Sequence, residues 1–124
     1  VILDAGFLIS IDRGERAARN LLVALARRGQ PLRTTHPVLA QVWRDGASQA
    51  RLAAFLRSVE VLPLDDGKPL GRLLAVAGTA DVVDAHLVLL AVRFGDAVLT
   101  GDPDDLGRVA AALGAAAPAI HAWP

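Results

Sequence analysis

Apolar residues fall along this chain in short runs alternating with helical repeats. Residues 1–3 form an apolar run closed by Asp4, the pattern of a buried strand, and 5–11 then turn helical. Residues 16–28 carry Ala17, Leu21, Ala24 and Leu25 at helical spacing, with Gly29 as a stop. A second strand is predicted at 32–35. Pro37 suits the first turn of a helix running through Gln41 to about Arg44 and ending at Gly46. Ser48 is the expected cap of a further helix reaching Arg57. Residues 59–64 (VEVLPL) alternate as a strand does, and Asp65-Asp66-Gly67 supplies a turn. Helices are predicted over 69–77 and 82–94, then a buried strand at 97–100. A helix over 103–113 and a terminal strand at 119–122 complete the chain.

Strands separated by helices imply an α/β fold: a three-layer α/β/α sandwich around a central, mainly parallel sheet. The 124 residues are expected to form a single domain, long enough to bury roughly two-thirds of the unfolded surface. In such sheets chemistry gathers at the carboxyl ends of the strands.

Composition narrows the chemistry. The absence of cysteine removes disulfide, zinc-thiolate and thiol-nucleophile readings and fits a cytoplasmic location. No apolar run approaches the ~20 residues of a bilayer span, and no charged-then-apolar leader is visible, so no membrane association is expected. The net charge of +0 argues against broad, nonspecific coating of nucleic acid. Twelve of the thirteen basic residues are Arg, whose planar fork matches phosphate, so a local Arg surface beside an acidic pocket remains open.

The acidic residues stand where that pocket would form. Asp4 follows the first strand, Asp102 follows the 97–100 strand, and Asp84 lies near the start of the helix leading into that strand. Carboxylates crowd poorly: two unit charges ~4 Å apart repel by about 4 kcal/mol at an effective dielectric of 20. A divalent cation relieves this, and hard oxygen ligands suit Mg²⁺ or Mn²⁺. Helix capping competes for the same residues. Asp102 before Pro103 is a good N-cap, Asp104 and Asp105 favour the helix dipole, and Asp81 stands three residues before Asp84 as a cap should. Asp4, closing an apolar strand, has no such simple explanation.

VILDAGFLI, then PVLAQVWR, then DVVDAHLVLLAVRFGDAVLTGDPDDL resemble, in order, the motifs of PIN domains, especially VapC-type toxins. The motifs span nearly the whole chain, and the last block, with its Thr-x-Asp, is the most specific. The resemblance implies a PIN-like fold and a Mg²⁺- or Mn²⁺-dependent endoribonuclease, the toxin of a type II toxin–antitoxin system. It implies Asp4, Asp84 and Asp102 as catalytic and metal-binding residues and Asp105 as a weaker ligand. Asp84 keeps the family spacing to Thr100 and Asp102, whereas Asp81 would need an insertion. Implied partners are an RNA substrate, a cognate VapB-like antitoxin and a second copy of the chain. Two departures stand out. Gln41 occupies the place of the usual glutamate, and Ala5-Gly6 lacks the hydroxyl residue common after the first Asp. Gln41 feeds the alternative of a weak or inactive PIN domain that binds RNA or antitoxin.

Thr100 is expected to hydrogen-bond a carboxylate or the phosphate, Gln41 to bind a metal-bound water or the substrate through its amide, and Arg44 and Arg13 are candidates for the RNA backbone. Solvated-surface roles compete for both arginines. His86, two residues from Asp84, falls on another helix face and is read as a packing residue. His36 and His121 are scattered, so no histidine metal site is expected. Trp43 and Trp123 are read as core or interface packing, because no basic and aromatic residues interleave around them. Lys68, the sole lysine, hints at a haloacid-dehalogenase-like phosphatase, but that family needs a second Asp where this chain has Gly6.

Overall fold

In a computed structural model, which describes residues 1–64 and 66–124, five short strands and seven helices alternate. The order is β1 (Ile2–Leu3), α1 (Ala5–Asp12), α2 (Arg16–Arg27), β2 (Arg33–Thr35), α3 (His36–Val42), α4 (Ala50–Leu56) and β3 (Glu60–Leu62). It continues with α5 (Gly67–Ala77), α6 (Val82–Phe94), β4 (Val98–Thr100), α7 (Pro103–Ala111) and β5 (Ile120–Ala122). The strands form one sheet in the order β3-β2-β1-β4-β5, and every pairing is parallel. The mainly parallel sheet expected from sequence is parallel throughout.

The order explains the layers. The chain steps outward from β1 to β2 to β3, then returns across the sheet to β4 and β5. Right-handed crossovers place the helices of these two journeys on opposite faces. Accordingly α1 packs on α2, α3 and α4, whereas α6 packs on α5 and α7. The strand order reverses at β1 and β4, the switch point beyond whose carboxyl ends ligands bind in open α/β sheets. Asp4 and Asp102 follow those two strands.

One apolar cluster holds the layers together. Ile2, Leu3 and Val98 of the central strands are fully buried, as are Phe7 and Leu8 of α1 and Leu87 and Val88 of α6. Helix α6 is buried over Ala85–Ala91 except at Leu89, which makes it the central rod of its layer. Trp123 packs edge-on against Phe7 with ring centroids 5.0 Å apart, and Trp43 lies against the same core, as their apolar character predicts. His86 is buried at 1% exposure, in keeping with a packing residue. Among the described residues no single helix is long and apolar enough to cross a membrane.

Element ends differ from expectation by a residue or two at several positions, and three of the differences are instructive. Helix α7 stops at Ala111, followed by a single 3₁₀ turn at Gly114–Ala116, where a helix to Leu113 is predicted. Strand β3 is Glu60–Leu62, shorter than the alternating run, and the predicted turn after it includes Asp65, which lies outside the described residues. Ser48 does not cap α4. Gln49 occupies the N-cap position without a side-chain cap bond, because its amide is engaged with the end of α3.

Candidate functional site

Asp4 leaves β1 in extended conformation and caps α1, its Oδ1 accepting from the Ala5 N–H at 2.7 Å. Its Oδ2 accepts from the Thr100 hydroxyl at 2.6 Å. Asp4 is only 8% exposed and Thr100 is fully buried, so this bond lies within the end of the sheet. The Thr100 Oγ1 in turn accepts from the Asp102 N–H at 2.9 Å. One hydroxyl therefore links the residue after β1 to the turn after β4, across 96 positions of sequence. Of the two partners expected for Thr100, the structure supplies the carboxylate.

Asp102 caps α7, its Oδ1 accepting from the Asp105 N–H at 3.3 Å, while Pro103 opens the helix. Its carboxyl is exposed, and capping occupies only one of its oxygens. Asp81 caps α6 by accepting from the Asp84 N–H at 3.1 Å, as the spacing predicts. The turn before it is made by Gly78, whose φ of 70° is a left-handed helix end that favours glycine.

Asp84, half-buried on the first turn of α6, is where these acids meet electrostatically. Its pKa is pushed up from 3.8 to about 7, first by burial, then by the charges of Asp81 and Asp4, a side-chain bond with Asp81, and the charge of Asp102. A cavity of ≈ 290 Å³ opens beside it, lined among others by Thr79, Asp81, Asp105 and Arg108. Asp105 is exposed and paired with Arg108 on its own helix.

The structure therefore gathers Asp4, Thr100 and Asp102 by direct bonds and brings Asp84 within their field. Among the described residues, Gln41, Arg44 and Arg13 make no hydrogen bond or ion pair to these four, and all three are exposed. Gln41 is exposed on α3. Arg44 is exposed and folds back, its guanidinium donating to the carbonyls of Ala40 at 3.1 Å and Trp43 at 2.6 Å. Arg13 is the exposed C-cap of α1.

The donor chemistry fits a divalent cation. All candidate ligands are hard carboxylate oxygens, and the Asp84 carboxyl is raised first by burial and then by negative neighbours, whose charge a cation would offset. Among the described residues, however, no three acidic or histidine side chains are already gathered closely enough to ligate one ion.

Sequence reasoning missed two residues that shape the site. Thr34 is fully buried in the middle of β2 and donates to the Leu3 carbonyl at 2.8 Å, fixing the end of β1 just before Asp4. Ser10 accepts from the Trp123 indole at 3.0 Å, tying α1 to the tail after β5. A buried hydroxyl next to a predicted strand end is a readable signal for Thr34; nothing in sequence points to the Ser10 contact.

No protein-family model and no curated protein sequence matches the chain. Its structure is similar to a chain in the crystal structure of VapBC2 from Rickettsia felis bound to a DNA fragment from their promoter. The TM-score is 0.73 and the identity 16%, over 99% of this chain and 98% of that one. At such identity the likeness speaks to architecture, over the full length of both chains. This chain thus has the PIN-like α/β fold that the order of its motifs implies.

Proposed function

We propose that this chain is a VapC-like toxin: an endoribonuclease that uses Mg²⁺ or Mn²⁺ held by Asp4, Asp84 and Asp102, with Asp105 as an outer ligand. The observation that supports this most is the Thr100 hydroxyl, which bonds both the Asp4 carboxylate and the Asp102 main-chain N–H at the sheet's switch point, with the Asp84 carboxyl raised in part by the charges of Asp4 and Asp102. The fold supports it too, since the structural neighbour belongs to VapBC2. The proposal includes a VapB-like antitoxin as the partner that restrains activity and a homodimer as the working form.

The bound ion would supply an activated water and charge neutralisation at the phosphodiester. The chain's own contributions follow from its geometry. Thr100 holds the Asp4 carboxylate at a fixed angle, with the Ala5 N–H securing the other oxygen. Thr100 is buried and serves as a positioning residue. Asp84 would give up its proton to serve as a ligand, so cation binding would be expected to release a proton near neutral pH. Arg108 flanks Asp84 across the cavity and is available to a substrate phosphate once it parts from Asp105. Arg13, Arg44 and Gln41 lie on the exposed surface available to the RNA backbone.

A second reading, a binding module without catalysis, is favoured by Gln41, which cannot act as a base, and by the lack of a gathered ligand set. The two are separated by incubating wild type and Asp4→Asn with varied RNAs across an Mn²⁺ titration. The enzyme reading expects cleavage by wild type and a loss of at least about 100-fold in the variant. No cleavage of any RNA by wild type supports the module. Gln41→Glu should tighten Mn²⁺ binding; unchanged affinity places position 41 outside the pocket.

A further inference from the structure

The first turn of α1 lies directly against the turn between β4 and α7, and the residues that meet there are Gly6 and Gly101. A Cβ added to Gly6 would stand 3.2 Å from the Gly101 nitrogen and 3.3 Å from its Cα. Both are main-chain atoms, so no side-chain rotation relieves the crowding. The reverse substitution is mild: a Cβ on Gly101 would meet the Trp123 carbonyl oxygen at 3.4 Å and the Gly6 Cα at 3.7 Å, which is ordinary contact. The tight approach therefore depends on Gly6. Glycine inside a helix is normally unfavourable beside alanine, so its presence in α1 is explained by this approach and not by helix formation.

Trp123 holds the same junction closed. Its main-chain N–H donates to the Thr100 carbonyl at 2.7 Å and its indole N–H to Ser10 at 3.0 Å, while its ring packs on Phe7. The tail after β5 thereby straps the end of β4 to α1. Gly6 follows Asp4 by two residues, and Gly101 immediately precedes Asp102. The seating of one glycine on the other consequently sets how the Asp102 turn stands relative to Asp4.

We infer that Gly6 is a positioning residue of the carboxylate site: its missing side chain lets the Gly101 turn seat on α1, Trp123 locks that seat, and together they fix Asp102 relative to Asp4. The inference rests on the cation-binding reading above. It is tested by calorimetric Mn²⁺ binding to the full chain alongside thermal midpoints. Gly6→Ala is expected to weaken Mn²⁺ roughly tenfold and Gly101→Ala less than about twofold, because misplacement of a ligand group by a fraction of an ångström is enough to loosen a site. Gly107→Ala, on α7 with open space around it, should leave affinity unchanged. Trp123→Phe retains the ring and removes the indole donor; it should weaken binding about threefold and carries the test if Gly6→Ala does not fold. A lowered thermal midpoint with unaltered Mn²⁺ affinity in Gly6→Ala, or unaltered affinity in Trp123→Phe, overturns the inference. Should wild type bind no Mn²⁺, the cation-binding reading fails by itself. Crystal structures of Gly6→Ala, or of Trp123→Phe where that variant carries the test, then decide the positioning claim. A broken Asp102 N–H to Thr100 bond supports it, and an unmoved Asp102 overturns it.

Discussion

Asp84→Asn is expected to raise the thermal midpoint of the EDTA-treated protein at pH 8 by roughly 3–10 °C while abolishing its response to Mn²⁺. The sign follows from the proton balance. The folded-state pKa of Asp84, about 7, lies above its ordinary 3.8. Between about pH 4 and 7 the folded chain keeps a proton that the unfolded chain has lost, so stability falls as pH rises through that window. Below it both states are protonated and nothing is lost; above it both are ionised and the full penalty applies. Asparagine removes the charge and its repulsion by Asp81, Asp4 and Asp102. With Asp84 partly open to solvent, the gain is about 1–2 kcal/mol at pH 8. At pH 4 the variant and wild type should melt alike. Wild type with saturating Mn²⁺ should recover stability at pH 8, by mass action on the folded state. An equal midpoint for the two proteins at pH 8 in EDTA contradicts the charge crowding on which the site is built.

Gln49→Ala should cost about 2–4 kcal/mol, because it leaves several half-buried backbone groups without partners at once. Gln49 is 8% exposed and its amide is fully engaged. Its Oε1 accepts from the N–H groups of Arg44 at 2.6 Å and Asp45 at 3.0 Å. Its Nε2 donates to the Val42 carbonyl at 2.9 Å and to Asp12 at 3.3 Å. One side chain thus closes the end of α3 and fastens it to the end of α1. Gln49→Glu keeps the acceptor, loses the donor and adds a charge beside Asp12, so an intermediate loss is expected. Urea unfolding gives the magnitude, and hydrogen exchange at Arg44 and Asp45 gives the location. Full protection of those two amides in Gln49→Ala would show that the loop is held by something else.

What sequence revealed and what it concealed divide along the range of the interactions. Asp81, Asp102 and Gly78 act within three or four residues of themselves, and the helix starts and ends they make are written locally. The strands were legible as apolar runs, and their alternation with helices was enough for a parallel sheet. The position of Asp4 and Asp102 at the switch point follows from that topology, so the chemical candidates could be named in advance. The Thr100 bond to Asp4 was foreseeable only as one option among two, since its partner is distant in the chain. Gln49 was hidden for a different reason. Ser48 beside it is the better cap by composition, and the groups that claim the Gln49 amide come from two separate segments, the end of α3 and the end of α1. The early end of α7 was likewise invisible, because Ala112 and Leu113 carry good helical propensity. The tail after β5 straps α1 through Trp123, a contact that no local pattern encodes.

The sharing of one cation by Asp4, Asp84 and Asp102 is tested most directly by anomalous diffraction from crystals grown with Mn²⁺ at pH 8. The expected result is a single strong peak beyond the ends of β1 and β4, with carboxylate oxygens of at least two of these aspartates coordinated to it and Asp4 still bonded to Thr100. A map without a peak there under saturating Mn²⁺, or with the ion bound only at another surface, would contradict the account.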